Sequence, residues 1–329
     1  MPFPYEEKQF EILVKQQAKS ELGKPPAERT IAELLEGAIV NIDKPAGPTS
    51  HQVSDFTKQI LKSKKAGHSG TLDPGVTGVL VIAYGKATRI VQALLIAGKE
   101  YIAVMHIHAP KEEQEIREMF AKYVGTIDQL PPKKSAVKRA WRKRTVYYAE
   151  ILEIDGQDVL FRIGTQAGTY IRKYIHDFGQ KMGCGAHMQN LRRTRAGPFA
   201  EDTLITLQDL TDAIHYHKEG NDEPIKKLLL PIETAVEHLP KVWIHDSAVK
   251  PLTHGVDLNV PGVVKLYSTI EPDQMVAIMS LKDELVALGT AQLSAATIMK
   301  EEKGLAVEVA KVFYEVKEDI KKVEESKTI

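Results

Sequence analysis

Strand-like and helix-like segments follow one another along this chain without a fixed rhythm. Residues 101–108 have the alternating pattern of a strand, whereas 111–124 have the pattern of a charged helix. A doubly wound parallel sheet needs a regular succession of one strand and one helix, which the chain lacks. Two further strand-like segments, 145–154 and 159–163, flank Asp155-Gly156, a dipeptide typical of tight hairpin turns. The order therefore predicts an α+β domain built around a mixed, largely antiparallel sheet.

The length of 329 residues corresponds to about two domains. Residues 231–240 begin and end with proline and indicate a linker. Beyond it, short apolar stretches separated by Gly and Pro predict a small β-rich domain. Near the N-terminus, residues 5–22 carry apolar side chains near helical spacing, and Gly23 follows, so we expect a short amphipathic helix there. From Glu315 the charges alternate, and we expect the tail to fray.

Global composition excludes several classes of protein. The 44 basic residues balance the 44 acidic ones, so any polyanion-binding surface must come from a local cluster. A single cysteine, Cys184, excludes intramolecular disulfides and Cys-rich zinc sites and suits a reducing compartment. The first thirty residues lack the apolar core of a signal peptide, and no apolar run approaches the roughly 18 residues of a membrane span. We expect an intracellular protein outside the membrane.

One segment of the chain, residues 133–144, carries seven basic residues and Trp141 without any acidic residue. Like charges this close repel one another, so the segment must be either fully solvated or neutralised, and phosphates are the usual neutralising groups. A second basic cluster at Arg192, Arg193 and Arg195 follows a strand-like stretch. Two clusters that could line one groove favour binding of a nucleic acid.

Several common site motifs are absent from the sequence. Gly85-Lys86 lacks the preceding glycine and the following Ser or Thr of a P-loop, and no dinucleotide-binding or serine-hydrolase motif occurs. His106 and His108 are two apart on a predicted strand and would share one face, as metal ligands can. No third ligand is evident near them in sequence, and paired strand histidines are mostly surface residues. We therefore expect no metal.

Asp73 lies in a glycine-rich loop, and its surroundings decide its interpretation. Taken alone, Asp73-Pro74-Gly75 is a turn signal in which the carboxylate bonds neighbouring backbone N–H groups. The longer segment 68–80, HSGTLDPGVTGVL, resembles position for position the catalytic loop of the TruB-type pseudouridine synthases. Other segments resemble that family's remaining motifs in the same chain order, namely 37–50, 99–101, 168–172 and 191–195. The resemblance covers about 37–200, and 241–313 is similar to a PUA domain.

The resemblance implies an isomerase that converts uridine to pseudouridine in tRNA or rRNA without a cofactor. Asp73 would act at ribose C1′ by stabilising charge, by adding covalently or by removing a sugar proton, and these three roles stay open. Tyr101 would stack on the extruded uridine, and Arg172 would keep the carboxylate ionised. Leu191 would wall the pocket, and His68 would help to insert into the RNA. The residues implied in binding substrate or RNA are Lys44, His68, Lys138, Arg139, Arg142, Arg144, Leu191, Arg192 and Arg193.

Within the family, residues 131–139, 185–188 and the N-terminal extension resemble the archaeal and eukaryotic branch, the dyskerin-like catalytic subunit of H/ACA ribonucleoproteins. This branch implies a guide RNA, a substrate RNA and small partner proteins, with neither membrane nor DNA, in the cytoplasm of an archaeal cell. It also implies four parts: an extension over 1–36 that packs on the PUA domain, a catalytic domain over 37–240, a PUA domain over 241–316 and a charged tail over 317–329. Three residues depart from the family pattern, Leu130 in place of arginine, Trp141 in place of an aliphatic residue and Lys173 in place of serine.

Three other functions remain open at this point. A stand-alone enzyme acting on the uridine of the tRNA T-loop is a close variant of the same activity. A non-catalytic RNA-binding scaffold would use only the PUA-like domain and the basic clusters, and the joint presence of Asp73, Tyr101 and Arg172 counts against it. A nucleoside hydrolase would use the same carboxylate on free nucleosides and release uracil, but it leaves the basic segment and the C-terminal domain unexplained.

Overall fold

The apolar run from Val79 to Ala83 forms the middle of a buried strand in the computed structural model of the chain. The structure describes residues 3, 4, 6, 10–132 and 138–314. Their contacts divide them into two units, which we describe separately. The first unit comprises the described residues before 9 together with 30–238, and the second comprises 10–29 and 239–314.

The described residues form short strands and short helices throughout. The strands are β1 (Ile12–Val14), β2 (Ile39–Lys44), β3 (Ala66–His68), β4 (Thr77–Tyr84), β5 (Lys99–Ile107), β6 (Gly125–Gln129), β7 (Arg142–Asp155), β8 (Asp158–Thr165), β9 (Ala186–Ala196), β10 (Lys241–Ile244), β11 (Leu258–Asn259), β12 (Val263–Tyr267), β13 (Met275–Met279), β14 (Leu285–Ala291) and β15 (Leu305–Val312). The helices are α1 (Ile31–Glu36), α2 (Ser50–Ile60), α3 (Val91–Ile96), α4 (Glu113–Lys122), α5 (Ile171–Lys181), α6 (Leu207–Lys218), α7 (Glu223–Leu228), α8 (Asp246–Thr253) and α9 (Ala295–Lys300).

The sheet of the first unit confirms the predicted mixed, largely antiparallel topology. Its strands follow the order β2-β4-β9-β5-β8-β7-β6, with β3 paired beside β4. The pairing of β4 with β9 is parallel, and it sets Gly78 opposite Arg193. The other strand pairs described in this sheet are antiparallel, including the predicted β7–β8 hairpin, whose register closes at Asp155 and Asp158.

Helices cover the first sheet through apolar faces of helical period. On α5, Ile171, Tyr174, Ile175 and Phe178 are buried at i, i+3, i+4 and i+7, the spacing that places side chains on one face. They pack into a core with residues of β5, β7, β8 and α4. Because that face is buried, the start of α5 has a fixed position relative to the sheet.

The second unit is the predicted small β-rich domain. Its strands follow the order β1-β12-β10-β13-β14-β15-β11 around a separate core. The expectation of a helix over 5–22 is wrong, because Ile12–Val14 is a strand that pairs with Val263–Tyr267. Pairing with β12 supplies backbone hydrogen bonds that override a weak local helix preference. The tail from Glu315 lies outside the described residues.

Within the described part of the chain, no helix has both the length and the apolar character needed to cross a membrane.

Candidate active site

Asp73 projects from the loop 69–76, which connects β3 to β4. The neighbours Leu72 and Val76 are buried at 4% and 3% exposure in the core that also contains the apolar face of α5. The N–H of Val76 donates to the Asp73 carbonyl at 3.0 Å and closes a tight turn. With both neighbours anchored in the core, the Asp73 side chain stays 53% exposed, so its carboxylate is accessible.

Two side chains from β2 and α2 hold this loop through its backbone. The Ser50 hydroxyl accepts from the Leu72 N–H at 2.8 Å and donates to the Leu72 carbonyl at 3.1 Å. The Lys44 ammonium donates to the carbonyls of Pro45, Pro74 and Val76 at 2.8–3.0 Å. The residues on both sides of Asp73 are therefore tied to a strand and a helix distant in sequence.

The structure contradicts an RNA contact for Lys44. This side chain has 0% exposure, and its three donors point at backbone carbonyls of the loop. Burial lowers the pKa of its ammonium, partly offset by the charge of Asp73. Lys44 thus supports the loop from inside the protein and cannot reach a phosphate.

Arg172 lies in the first turn of α5 and reaches Asp73 from the other side. Its Nη2 is 2.5 Å from Oδ2 of Asp73, which confirms the predicted pairing of the two residues. The start of the helix is fixed by the Gln129 amide, which accepts from the Tyr170 N–H at 3.0 Å and donates to the Tyr170 carbonyl at 3.2 Å. Next to Arg172, Lys173, which stands in place of the serine of the family pattern, pairs with Asp177 one turn along α5.

Tyr101 and Leu191 belong to the same core cluster as Leu72 and Val76. They lie on the adjacent strands β5 and β9, with exposures of 9% and 8%. Tyr101 lies opposite Arg193 in the register of β5 with β9. The structure therefore brings Tyr101 and Leu191 to the core that anchors the Asp73 loop.

His68, at the end of β3, is partly buried beside the loop. Its Nδ1 accepts from the Gly70 N–H at 3.3 Å, and its ring meets His51 edge to face at 4.9 Å between centroids. Burial, followed by the proximity of His51 and Arg193, lowers the pKa of His68 to about 4. The imidazole is therefore neutral at pH 7.

The two arginines of the late cluster differ sharply in their surroundings. An RNA contact for Arg193 is contradicted, because its side chain is 1% exposed and donates to the carbonyls of Val79 at 2.7 Å and Gly70 at 3.1 Å. Arg192 is partly exposed, but its guanidinium bonds both carboxylate oxygens of Asp43, at 3.0 and 3.1 Å, and also Glu201 at 2.6 Å. Any phosphate would have to compete with these two carboxylates.

The basic segment is described from Lys138 onward, and 133–137 lie outside the described residues. Lys138 and Arg139 are exposed, and Trp141 is 68% exposed. Arg142 donates to the Lys138 carbonyl at 3.2 Å, and Arg144 donates to the Gly168 carbonyl at 3.2 Å. The segment thus leads, through Gly168, toward the start of the helix that carries Arg172.

His106 and His108, considered above as metal ligands, lie close to His187 of β9. His108 Nε2 lies 2.9 Å from His187 Nδ1, while His106 bonds Asp158 at 2.7 Å. Across residues 10–132 and 138–314, however, no three His, Cys, Asp or Glu side chains are arranged to hold a metal ion.

Two residues of the site, Ser50 and Gln129, were not predicted from the sequence. Both act through hydrogen bonds to backbone atoms of distant segments, 22 and 41 positions away. The only sequence signal for a role of Ser50 is that it belongs to the family-like motif 37–50. Gln129 carries no local signal, because its role depends on the tertiary contact between the end of β6 and the start of α5.

Four protein-family models match the chain in succession. They are the DKCLD (NUC011) domain over residues 3–54, the TruB family pseudouridylate synthase N-terminal domain over 58–171, the tRNA pseudouridylate synthase B C-terminal domain over 172–237 and the PUA domain over 240–313. Asp73 and Tyr101 lie inside the second match, and Arg172 is the first residue of the third.

Curated relatives and solved structures agree with these matches. The chain is 55% identical over 308 residues to a probable tRNA pseudouridine synthase B of Pyrococcus abyssi, covering 92% of each chain, and 51% identical over 315 residues to one of Nanoarchaeum equitans, covering 95% and 90%. It matches a chain in the crystal structure of a Cbf5-Nop10-Gar1 complex with a TM-score of 0.91 and 52% identity, covering 94% of this chain and 96% of that one. It also matches a chain in the structure of an H/ACA RNP bound to a substrate RNA containing 2′-deoxyuridine, with a TM-score of 0.88 and 50% identity over 95% and 98%. The chain therefore belongs to the TruB family of pseudouridine synthases, which are isomerases.

Proposed function

We propose that this chain isomerises uridine to pseudouridine in RNA as the catalytic subunit of an H/ACA ribonucleoprotein, with Asp73 at the reacting centre. The observation that carries the proposal is the exposed Asp73 carboxylate, held on a backbone-anchored loop and paired with Arg172 at 2.5 Å. The high similarity to chains from Cbf5 and H/ACA structures supports the guide-dependent form of the activity.

The reaction breaks the bond between uracil N1 and ribose C1′ and forms one between C5 and C1′. The hydrogen on C5 leaves as a proton, and N1 gains a proton, so no redox partner is needed. An anionic carboxylate is suited to the electron-poor C1′ centre, and the ion pair with Arg172 holds the carboxylate in place. Tyr101 stacks on the extruded base, and Leu191 closes the apolar side of the pocket.

The RNA strand is held by the basic segment that leads toward the site. Lys138 and Arg139 are exposed and available to phosphates, and Arg142 and Arg144 continue the positive charge toward Gly168. His68, neutral at pH 7, contacts the RNA as a hydrogen-bonding and stacking group rather than as a cation. Arg192 is not assigned a phosphate contact, because Asp43 and Glu201 already occupy its guanidinium.

The partners are a guide RNA, a substrate RNA and small proteins of the kind named Nop10 and Gar1 in the similar structures, with no DNA. We assign the N-terminal extension to 1–36, the catalytic domain to 37–240, the PUA domain to 241–316 and the tail to 317–329. The pairing of Ile12–Val14 with Val263–Tyr267 supports packing of the extension on the PUA domain. RNA targets of this kind support a cytoplasmic location.

A second candidate function is guide-independent modification of the uridine in the tRNA T-loop. The names of the curated relatives, probable tRNA pseudouridine synthase B, favour a tRNA substrate. The same site would serve both functions, since they differ in how the uridine is presented and share the chemistry at C1′.

The test is release of tritium from RNA labelled at uridine C5, because forming the new bond expels that hydrogen. The full chain is incubated with a tRNA transcript alone, and with a guide RNA, its substrate and the two small proteins. Release only in the second mixture supports the guide-dependent enzyme, and release with tRNA alone supports the second candidate. Release in neither mixture, with RNA still bound, would overturn both.

The variant Asp73→Asn keeps the shape of the side chain and removes its charge. We expect it to release no tritium while binding RNA as the wild type does. The matched control is Glu113→Gln, an exposed carboxylate on α4 that is paired with Arg117, and it should retain full activity. Undiminished activity of Asp73→Asn would exclude Asp73 from the reaction.

A further inference from the structure

Arg193 is a buried cation whose hydrogen bonds all go to groups around the candidate site. Its side chain is 1% exposed and ranks among the largest fully buried ones in the described residues. Nε donates to the Val79 carbonyl of β4 at 2.7 Å, and Nη2 donates to the Gly70 carbonyl of the Asp73 loop at 3.1 Å. Arg193 itself lies opposite Tyr101 in the register of β5 with β9. One side chain thus joins two strands and the loop.

No carboxylate within the described residues forms an ion pair with Arg193. The charge of Arg193 lowers the pKa of three neighbouring bases, Lys44, His68 and Lys99. Tyr101 is the other titratable group that interacts with it. Burial therefore lowers the pKa of its guanidinium, and only the Tyr101 hydroxyl opposes that effect. A buried charge is tolerated when neutral oxygens satisfy its donors, so these oxygens are held at fixed positions around it.

The planar fork of arginine explains how two separate segments can be held at once. Its donors diverge in a fixed geometry, whereas a lysine ammonium is a single point on a flexible stem. The backbone of Arg193 is fixed as well, because Gly78 of β4 pairs directly with it. The side chain is therefore a rigid link between the Gly70 turn, three residues before Asp73, and the position on β9 that lies opposite Tyr101.

We propose that Arg193 is a positioning residue that fixes the Asp73 loop relative to Tyr101 by bonding Gly70 from the position on β9 that lies opposite Tyr101. This inference rests on the proposed function, since it presumes that the reaction uses Asp73 and Tyr101. An error of about 1 Å in the position of reacting groups can cost about 100-fold in rate. Arg193 acts through those two residues and does not contact the RNA.

The experiment measures single-turnover tritium release and RNA affinity for the assembled wild-type enzyme and for Arg193→Lys and Arg193→Gln. We expect about a 100-fold loss in rate with RNA affinity within about threefold of wild type. The matched control is Arg117→Lys on the exposed face of α4, which should retain the wild-type rate. A rate within threefold of wild type for either Arg193 variant would overturn the proposal.

Amide exchange separates positioning of the loop from general destabilisation. Arg193→Lys should speed exchange in the loop 69–76 and leave exchange in α4 as in wild type, because the bond that is lost goes to the Gly70 carbonyl. Unchanged exchange in the loop, or equal acceleration in both places, would overturn the proposal. Should both Arg193 variants fail to fold, exchange in the wild type decides: the hydrogen-bonded amides of Ser69, Leu72 and Val76 should be protected as strongly as those of β9, and free exchange there would refute the proposal. Asp73→Asn is measured in parallel to distinguish failure of this inference from failure of the proposed function. Activity of that variant would show that the reaction does not need Asp73, and it would overturn the proposed function.

Discussion

The Nη2 atom of Arg172 lies 2.5 Å from Oδ2 of Asp73, although 99 positions separate the two residues in sequence. Both side chains are more than half exposed, at 61% and 53%. An ion pair this open to solvent contributes about 0–1 kcal/mol to stability. Its importance is therefore local, in orienting the Asp73 carboxylate.

We expect Arg172→Ala to abolish tritium release while the free energy of unfolding stays within about 1 kcal/mol of wild type. The partner that orients the Asp73 carboxylate is lost, but no buried contact is. Tritium release and denaturant unfolding measure the two quantities. Arg117→Ala, which also breaks an exposed ion pair of α4, should change neither. A large loss of stability with activity intact would mean that Arg172 is a structural residue.

If the exposed residues of the basic segment contact RNA phosphates, removing one of them should make RNA binding less dependent on salt. For Lys138→Ala we expect the slope of log K against log salt to become shallower by about 0.7, the value for one lost contact to a single-stranded phosphate. Lys122→Ala on α4 removes an equally exposed charge and should leave the slope unchanged. Equal slopes for wild type and Lys138→Ala would place the RNA elsewhere.

The sequence predicted the parts of the site that depend on local pattern. The loop around Asp73, the strand of Tyr101 and the helix after Gly168 all carry patterns within about a dozen residues. The pairing of Asp73 with Arg172 came from the family resemblance, because 99 intervening residues leave no local trace of it.

Lys44 and Arg193 show why the rest could not be predicted. In sequence both look like solvent-exposed cations, and Arg193 stands in a cluster typical of phosphate binding. Each instead donates its hydrogen bonds to backbone carbonyls of segments that only the folded sheet brings near. The N-terminal strand is a similar case, because its hydrogen-bond partners on β12 lie about 250 residues away in sequence.

His68 should make stability depend on pH in mildly acidic solution. Its pKa is lowered from 6.5 to about 4 in the folded protein, mainly by burial. Between these values the unfolded chain binds a proton that the folded protein does not, so stability is fully present above pH 6.5 and falls as the pH decreases toward 4. We expect the urea midpoint to drop more between pH 7 and pH 5 for wild type than for His68→Gln. His215→Gln, at a residue whose side chain is 68% exposed, should follow wild type, and parallel curves for wild type and His68→Gln would contradict the assignment.

The junction of β4 and β9 should tolerate no side chain at Gly78. This residue has a φ of +98°, in the region that favours glycine, and a Cβ there would lie 2.2 Å from the Arg193 carbonyl oxygen. Both the conformation and the backbone clash oppose Gly78→Ala, so we expect it to lower the free energy of unfolding by at least about 2 kcal/mol.

Gly75→Ala is the matched control for stability, because it lies in the adjoining loop and a Cβ there would meet nothing within 4 Å. We expect its free energy of unfolding to stay within about 0.5 kcal/mol of wild type. Denaturant unfolding of the three proteins measures the difference. If Gly78→Ala were as stable as Gly75→Ala, β4 and β9 would have to separate at no cost, and Arg193 would then have no fixed backbone from which to hold Gly70.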